Sequence, residues 1–182
     1  MKNFLNLLLN LFATKTEQPK SEAPKKEPTA KPPQTNIGSG TIQEKVYAIA
    51  KKELGVKELL VGSNKTVEKY HAYSTKDNKV GTTDDVPWCA SFVCYCLETA
   101  GLNSTNSKSA RSYEAYGKPT KSPVFGDIVV FYRGTPSSGK GHVAFFSGYD
   151  SNGNIKVLGG NQHDEVCIAS YDKSRLVGFR TY

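Results

Sequence analysis

Cys89 is the residue of this sequence best placed to act as a nucleophile. It follows Pro87-Trp88 and comes directly before residues 90–100, ASFVCYCLETA, whose apolar spacing predicts a helix. A thiol at a helix N-terminus lies near unpaired backbone N–H groups and the positive end of the helix dipole, and both stabilise a thiolate. The alternative is a packing role, because free cysteine is among the most frequently buried residue types. The remaining cysteines are expected to be small buried hydrophobes: Cys94, Cys96 and Cys167.

A thiol nucleophile needs a base, and His142 is the best placed of the three histidines. It follows a glycine-containing loop at residues 134–141 and opens a predicted strand, HVAFF, at residues 142–146. A ring at the start of a strand can be held rigidly at the edge of a cleft. A histidine that only satisfies a strand end is the common alternative. His71 and His163 have polar, turn-like surroundings, which do not indicate a catalytic role.

The imidazole then needs a polar neighbour that fixes its tautomer, and Asn161 is the candidate. It lies in LGGNQ at residues 158–162, at the end of the next predicted strand. If this strand pairs antiparallel with the one that begins at His142, through a turn at residues 150–154, the end of one lies beside the start of the other. The pattern therefore predicts that Cys89, His142 and Asn161 meet at one edge of a sheet, open to solvent. A turn role beside two glycines is the alternative for Asn161.

Three further side chains could assist such a site. Asp127, in the pair Gly126-Asp127 before a predicted strand, could orient a group in the site, although a turn role is more common. Trp88 could form the floor of a substrate cleft, but packing beside the helix is the favoured interpretation. Arg111 could pair with a substrate carboxylate through its guanidinium fork, whereas an exposed arginine without a specific partner is the more common case.

Helices precede strands along the predicted domain. Residues 41–44, TIQE, form a capping-box signature ahead of apolar residues at helical spacing, and Gly55 is expected to end that helix. Residues 57–86 are polar and irregular, which indicates loops and at most a short helix. Five short segments rich in Val, Ile, Phe and Tyr predict an antiparallel meander: 128–132, 143–147, 155–158, 166–170 and 176–180. The fold class predicted from this order is α+β.

The first 40 residues differ from the rest in composition. Residues 14–40 contain five of the nine prolines and no apolar residue larger than alanine before residue 37, which predicts a disordered, extended linker. Residues 1–13 place three asparagines on one helical stripe among leucines and phenylalanines. They are interpreted equally well as an amphipathic membrane-surface anchor or as a secretory signal, with a frayed terminus as a third possibility. Residues 41–182 are expected to form the single catalytic domain.

Charge and hydropathy limit the classes of partner that the sequence predicts. The chain has 24 Lys and Arg against 17 Asp and Glu, a formal charge of +7, which favours anionic partners such as acidic wall polymers, lipid headgroups or nucleic acid. Nothing but charge indicates nucleic acid, since no aromatic and basic face supports it. No run of about 18 apolar residues exists, so the sequence predicts no conventional membrane-spanning helix.

Four motifs together carry a resemblance to a known family. They are PWCASFV at 87–93, GDIVVF at 126–131, GHVAF at 141–145 and GGNQ at 159–162. In these motifs the chain resembles the cysteine, histidine-dependent amidohydrolase/peptidase (CHAP) family, within the papain-like group of NlpC-type wall hydrolases. The similarity extends from about Thr41 to Tyr182 and looks closest to small single-domain bacterial and phage members, which share ELGVKE at 53–58 and SARS at 109–112. It implies a papain-like fold with helices packed on about five antiparallel strands.

The resemblance implies hydrolysis of an amide bond in peptidoglycan, either between muramic acid and L-Ala or within the stem or bridge peptide. It implies Cys89 as nucleophile, His142 as base and Asn161 as the third polar residue, with no metal and no cofactor. Related wall hydrolases often have Glu two residues before that Asn, where this chain has Gly159, so Gln162 is a candidate helper. The expected enzyme is a monomer that is secreted or acts in the periplasm or cell wall. Its expected partner is peptidoglycan, with membrane-surface contact through residues 1–13 as an option.

Other hypotheses stay open beside this one. A related hydrolase could act on an amide outside the wall, and a non-catalytic wall-binding module could keep the same fold. A phage lysin, a secreted toxin and a housekeeping wall enzyme would share these motifs. A metal site from Cys89, Cys94 and Cys96 with a histidine is disfavoured, because that spacing along one helix points the side chains in diverging directions.

Overall fold

The computed structural model describes residues 40–182. The predicted anchor or signal at residues 1–13 and the predicted linker, except its last residue, lie outside the described residues. Three α-helices come first: α1 (Ile42–Lys52), α2 (Lys65–His71) and α3 (Cys89–Thr99). None of the helices in the described part of the chain is long and apolar enough to cross a membrane.

Six strands follow the helices and form one antiparallel sheet. They are β1 (Lys118–Thr120), β2 (Ile128–Tyr132), β3 (Gly141–Tyr149), β4 (Ile155–Gln162), β5 (Glu165–Tyr171) and β6 (Leu176–Thr181), and their order across the sheet is β1-β6-β2-β3-β4-β5. The predicted α+β class is confirmed, with six strands where the sequence predicted about five. The additional strand, β1, has only three residues and lies at the sheet edge, where its Pro119 is tolerated.

The capping box at the start of α1 forms as the sequence predicted. The Thr41 hydroxyl accepts from the backbone N–H of Glu44 at 3.2 Å, and the Glu44 carboxylate accepts from the N–H of Thr41 at 2.8 Å. This capping box satisfies two N–H groups that the first turn leaves unpaired. The helix ends at Lys52, and Gly55 then takes a positive φ of 85° that favours glycine.

Helix α3 is the central helix of the domain and is buried along most of its length. Every residue from Cys89 to Leu97 is buried, and the helix packs on one face of the sheet beside α1 and α2. Phe92 of α3 contacts Tyr70 of α2 and Phe145 of β3 edge to face. This aromatic packing anchors the helix that carries Cys89 at its first position.

The hairpin of β3 and β4 has the pairing that the sequence predicted. Phe145 pairs with Leu158, and Phe146 with Val157, while the Asp150 carboxylate accepts two backbone N–H groups in the connecting turn. Because the pairing is antiparallel, the start of β3 and the end of β4 lie at the same edge of the sheet. That edge carries His142 and Gln162.

Residues 57–86 contain more order than their polar composition suggests. They include α2 and a 3₁₀ helix at Thr75–Val80. His71, expected in polar, turn-like surroundings, instead lies in α2 and is fully buried, with its Nδ1 2.9 Å from the Ser91 hydroxyl of α3. The reason is that α2 packs directly against α3, which the local sequence does not reveal.

Candidate active site

Cys89 is the first residue of α3, and its thiol is deeply buried. Trp88 is the N-cap and makes no side-chain cap bond, so the first turn has no capping side chain there. Only 4% of Cys89 is exposed. Burial raises the pKa of its thiol, although the backbone N–H of Val143, the charge of Arg133 and the N–H of Ala90 act to lower it. The sequence predicted a stabilised thiolate, but the structure favours a neutral thiol because desolvation is the largest effect.

His142 lies at the start of β3 and is 0% exposed. Its ring stacks on Tyr171, with centroids 5.0 Å apart and planes at 18°. Burial and the nearby Arg133 charge lower the pKa of His142 to about 3, opposed by its hydrogen bond to Gln162. The imidazole is therefore neutral at neutral pH.

Gln162 decides which ring nitrogen of His142 carries the hydrogen. Its Nε2 donates to the backbone carbonyl of Cys167 at 2.6 Å, so its Oε1 faces the imidazole, 3.0 Å from Nε2 of His142. An amide oxygen only accepts, so Nε2 of His142 is the donor and Nδ1 keeps a lone pair. The arrangement leaves the lone pair on Nδ1, the nitrogen placed to act as a general base, and Nη2 of Arg133 lies 3.4 Å from it.

Cys89 and His142 lie near some of the same groups but are not hydrogen-bonded to each other. The Cys89 thiol lies beside the backbone N–H of Val143, which follows His142 in β3, and Arg133 acts on both groups. Within residues 40–182, no hydrogen bond joins Sγ of Cys89 to the imidazole. The sequence predicted a solvent-open groove at this place, whereas both side chains are buried. Catalytic contacts often tighten only when substrate is bound.

Asn161 does not contact His142, contrary to the expectation that it orients the ring. Its Nδ2 donates to Oε1 of Glu58 at 2.6 Å, and its φ is 56°. The pairing of β4 with β5 is irregular between Gly159 and Gln162, and this irregularity changes which side chain faces the imidazole. The contact that sequence reasoning gave to Asn161 belongs to Gln162.

Glu58 is a residue that sequence reasoning did not select. Its Oε1 accepts from Trp88 Nε1 at 2.8 Å as well as from Asn161 Nδ2. Glu58 therefore links Trp88, the neighbour of Cys89, to Asn161, the neighbour of Gln162. The only signal for it was its place at the end of ELGVKE, residues 53–58.

The segment around Glu58 is held against β5 by backbone hydrogen bonds. The N–H of Glu58 donates to the carbonyl of Asp164 at 2.8 Å, and the N–H of Val166 donates to the carbonyl of Val56 at 2.8 Å. These bonds place the carboxylate where it can meet Trp88 and Asn161.

Trp88 is a packing residue in this structure. It is fully buried, and its ring lies 5.9 Å from that of Tyr70. A side chain on Gly160 would overlap the indole, so the close approach of β4 to this ring requires glycine. No face of the Trp88 ring is exposed, so the ring does not form the floor of a substrate cleft in this structure.

Asp127 lies away from the imidazole, at the other end of β2. His142 pairs with Phe131, four residues further along β2, which corresponds to roughly 14 Å at the usual rise per residue. The Asp127 carboxylate accepts from the N–H of Val124 at 2.9 Å within a tight turn. In the structure Asp127 therefore has the turn role that was the more common interpretation, at the opposite end of the strand from His142.

Arg111 already has partners in the fold. It forms an ion pair with Glu114 and donates to the carbonyl of Pro136 at 3.2 Å. Among residues 40–182 there is no group of three or more His, Cys, Asp or Glu side chains that could hold a metal ion, and all four cysteines are free.

A pocket of about 320 Å³ opens beside the segment that leads to Cys89. Its lining residues are Asp77, Val80, Val86, Pro87, Lys108 and Ser109. Pro87 is two residues before Cys89 in the chain. The pocket gives the surface a concave feature close in sequence to the thiol.

Comparison with solved structures finds distant likenesses. RipD from Mycobacterium tuberculosis, described as a non-catalytic NlpC/p60 domain protein adapted to peptidoglycan binding, is 16% identical with a TM-score of 0.46, covering 78% of this chain and 96% of RipD. The P60 domain of an M. avium paratuberculosis antigen is 15% identical with a TM-score of 0.46, covering 78% and 93%. NlpC1 from Trichomonas vaginalis is 16% identical with a TM-score of 0.45, covering 81% and 46%. Scores below 0.5 support no conclusion about this chain.

Comparison with protein families gives a direct match, although no curated protein matches the chain. Residues 81–161 match the CHAP domain family. The matched span contains Cys89, His142 and Asn161 and ends one residue before Gln162. The resemblance carried by the sequence motifs is thereby confirmed over the part of the chain that the CHAP domain model matches, residues 81–161.

Proposed function

We propose that this protein is a peptidoglycan hydrolase that cleaves an amide bond through the Cys89 thiol. The CHAP domain supports a peptidoglycan-associated hydrolase or binding module. The observation that carries the hydrolase is the hydrogen bond from His142 to Gln162, which leaves Nδ1 as a base at the strand start beside Cys89. A buried imidazole with a held tautomer has the form that general base catalysis needs.

In the proposed reaction, the Cys89 sulfur attacks the amide carbonyl carbon while its proton passes to Nδ1 of His142. The raised pKa of the thiol and the lowered pKa of His142 favour transfer during attack over a preformed ion pair. The C–N bond then breaks, and the imidazolium gives the proton to the leaving amine. Water attacks the resulting thioester with His142 as base, which releases the acid and restores the thiol.

The negative charge on the carbonyl oxygen needs donors that are already in place. The backbone N–H of Cys89 lies at the start of α3, where the helix dipole adds positive potential. We propose it as one donor to the oxyanion, since removal of one such donor in other enzymes costs about 100-fold or more in rate.

The proposed substrate is wall peptidoglycan, and the proposed place of action is the cell wall. The candidate bonds are the muramoyl to L-Ala amide and the amides of the stem or bridge peptide. The formal charge of +7 suits an anionic polymer.

Mass spectrometry of fragments released from purified peptidoglycan tests the proposal. We expect new amines and soluble fragments with the wild-type chain and none with Cys89→Ala, and the fragment masses identify the bond. Cys94→Ala is a matched control, because Cys94 lies inside α3 with its thiol beside the Tyr113 hydroxyl. Walls that stay intact with the wild-type chain as well as with Cys89→Ala would overturn the hydrolase proposal.

The burial of the site favours one second candidate, a non-catalytic wall-binding module. Cys89 is 4% exposed and His142 is 0% exposed, so neither meets solvent freely. Such a module would sediment with insoluble walls to the same extent with and without Cys89→Ala, and it would release no fragments.

A further inference from the structure

Arg133 is the first residue of the loop that joins β2 to β3. It directly follows β2, and its N–H donates to the carbonyl of Lys140 at 3.0 Å, which closes the base of the loop before β3. Its side chain is exposed, and its Nη2 lies 3.4 Å from Nδ1 of His142. Arg133 therefore meets both solvent and the proposed base.

The charge of Arg133 has no acidic partner in the described part of the chain. The two ion pairs among residues 40–182 join Lys65 to Glu68 and Arg111 to Glu114. Arg133 is thus a cation beside reactive groups, and its charge also acts on Cys89. An arginine fork without a carboxylate is well suited to take one from a ligand.

The contact between Arg133 and His142 conflicts with the proposed reaction as it stands. Guanidinium only donates, so it uses the lone pair on Nδ1 that must accept the thiol proton. Its charge also disfavours the imidazolium that the reaction forms. A negative group that draws the guanidinium away would remove both obstacles at once.

We propose that Arg133 is a specificity-determining residue that binds a carboxylate of the substrate beside the scissile amide, and that this contact frees Nδ1 of His142. The inference rests on the proposed function for the reaction and names the substrate class: a peptide with a free carboxylate next to the cleaved bond. A peptide in which that carboxylate is amidated is a poorer substrate.

Alkylation of Cys89 by iodoacetate and iodoacetamide tests the anion site without any wall substrate. The two reagents react by the same displacement of iodide and differ in charge, and peptide mass spectrometry reports the rate at Cys89 alone. We expect Arg133→Gln to lower the iodoacetate rate about tenfold relative to the iodoacetamide rate, as for the loss of one charge-assisted hydrogen bond. Arg133→Lys keeps the charge without the fork and should give an intermediate ratio.

Arg175→Gln is the matched control for the loss of one positive charge. Arg175 is exposed, and its charge acts on Asp172. We expect the ratio of the two rates to be unchanged in this variant. An equal change in Arg175→Gln and Arg133→Gln, or no change in Arg133→Gln, would overturn the anion site. No labelling of Cys89 by either reagent in any variant would overturn both the nucleophile and this inference.

Cleavage of matched peptides then separates the inference from the proposed function. With peptides that carry a free or an amidated carboxylate, the wild type should show a higher kcat/KM for the free acid, and Arg133→Gln should lose that preference. Cleavage with equal preference in both proteins would reject the role of Arg133 and keep the hydrolase. A shifted alkylation ratio with no cleavage of either peptide would keep the anion site and reject the hydrolase.

Discussion

At the scale of single residues, the proposed chemistry depends on a few hydrogen bonds that hold one tautomer of His142. The Cys167 carbonyl holds the Gln162 amide, and the Gln162 oxygen holds the His142 ring. Each of these groups is a donor or an acceptor in only one orientation, so the chain of contacts has a single consistent arrangement. The Cys167 carbonyl, two contacts away, therefore determines which nitrogen of His142 is the proposed base.

Gln162 and Asn161 can be compared directly, since they are neighbours in β4 with different partners. We expect Gln162→Ala to lower the rate of peptidoglycan cleavage about 100-fold, because His142 loses the acceptor that fixes its tautomer. Asn161→Ala should cost clearly less, because its amide contacts Glu58. Initial rates of amine release measure both. The reverse order would restore Asn161 as the residue that orients His142.

At the scale of elements, the site is assembled from one helix, two strands and a segment beside β5. Helix α3 supplies Cys89, β3 supplies His142, and β4 supplies Gln162. The segment that ends at Glu58 ties the start of α3 to the end of β4 through Trp88 and Asn161. A change in this segment should therefore alter both stability and activity.

Replacement of Glu58 tests that link. Glu58→Ala leaves Trp88 Nε1 and Asn161 Nδ2 without their acceptor. Trp88 is fully buried, and an unsatisfied buried donor costs about 1–3 kcal/mol of the free energy of unfolding, whereas Asn161 is half-buried. Glu58→Gln keeps Oε1 as an acceptor and should lose less. Urea unfolding measures the difference. Glu165→Ala is the control, because the Glu165 side chain makes no hydrogen bond within residues 40–182, and a loss equal to that of Glu58→Ala would reject the link.

At the scale of the whole molecule, the helices cover one face of the sheet and aromatic residues pack on the other. Phe146 and Phe179 contact each other on that second face, with ring centroids 5.5 Å apart. The imidazole of His142 is enclosed by this packing, since it stacks on Tyr171, which in turn stacks on Phe131. The fold thus keeps a titratable ring out of water, and its stability should depend on pH.

Acid should destabilise the domain in the window set by His142. The folded-state pKa is about 3 against an ordinary value of 6.5, so between these values the unfolded chain binds a proton that the folded chain does not. Stability is then complete above about pH 6.5 and falls as the pH drops toward 3. Burial lowers the pKa of His71 as well, which acts in the same direction.

Urea unfolding at a series of pH values measures this loss. We expect the free energy of unfolding of the wild type to fall by several kcal/mol across the window, at about 1.4 kcal/mol for each unit of pKa shift. The loss of unfolding free energy across the window should be smaller in His142→Gln than in the wild type. It should also be smaller in His71→Gln, by an amount independent of the first. An unchanged slope in His142→Gln would show that the ring titrates normally in the folded protein.

Several features of the site could be predicted because their causes are local. The capping box at Thr41, the helix that begins at Cys89 and the turn at Asp150 each depend on residues close together in the chain. The same is true of the placement of His142 at the start of a strand. The CHAP motifs are also short runs, so the resemblance could be identified from them.

The α+β class, the nucleophile and base candidates, and the edge where two strands bring a polar side chain to His142 could all be predicted from the chain's residues. That this side chain is Gln162, that Glu58 joins two parts of the site, and that Cys89 and His142 are buried became visible in the folded domain. The physical reason is distance along the chain. Strand irregularity between Gly159 and Gln162, and a hydrogen bond that spans 103 residues from Glu58 to Asn161, arise only when remote segments pack together.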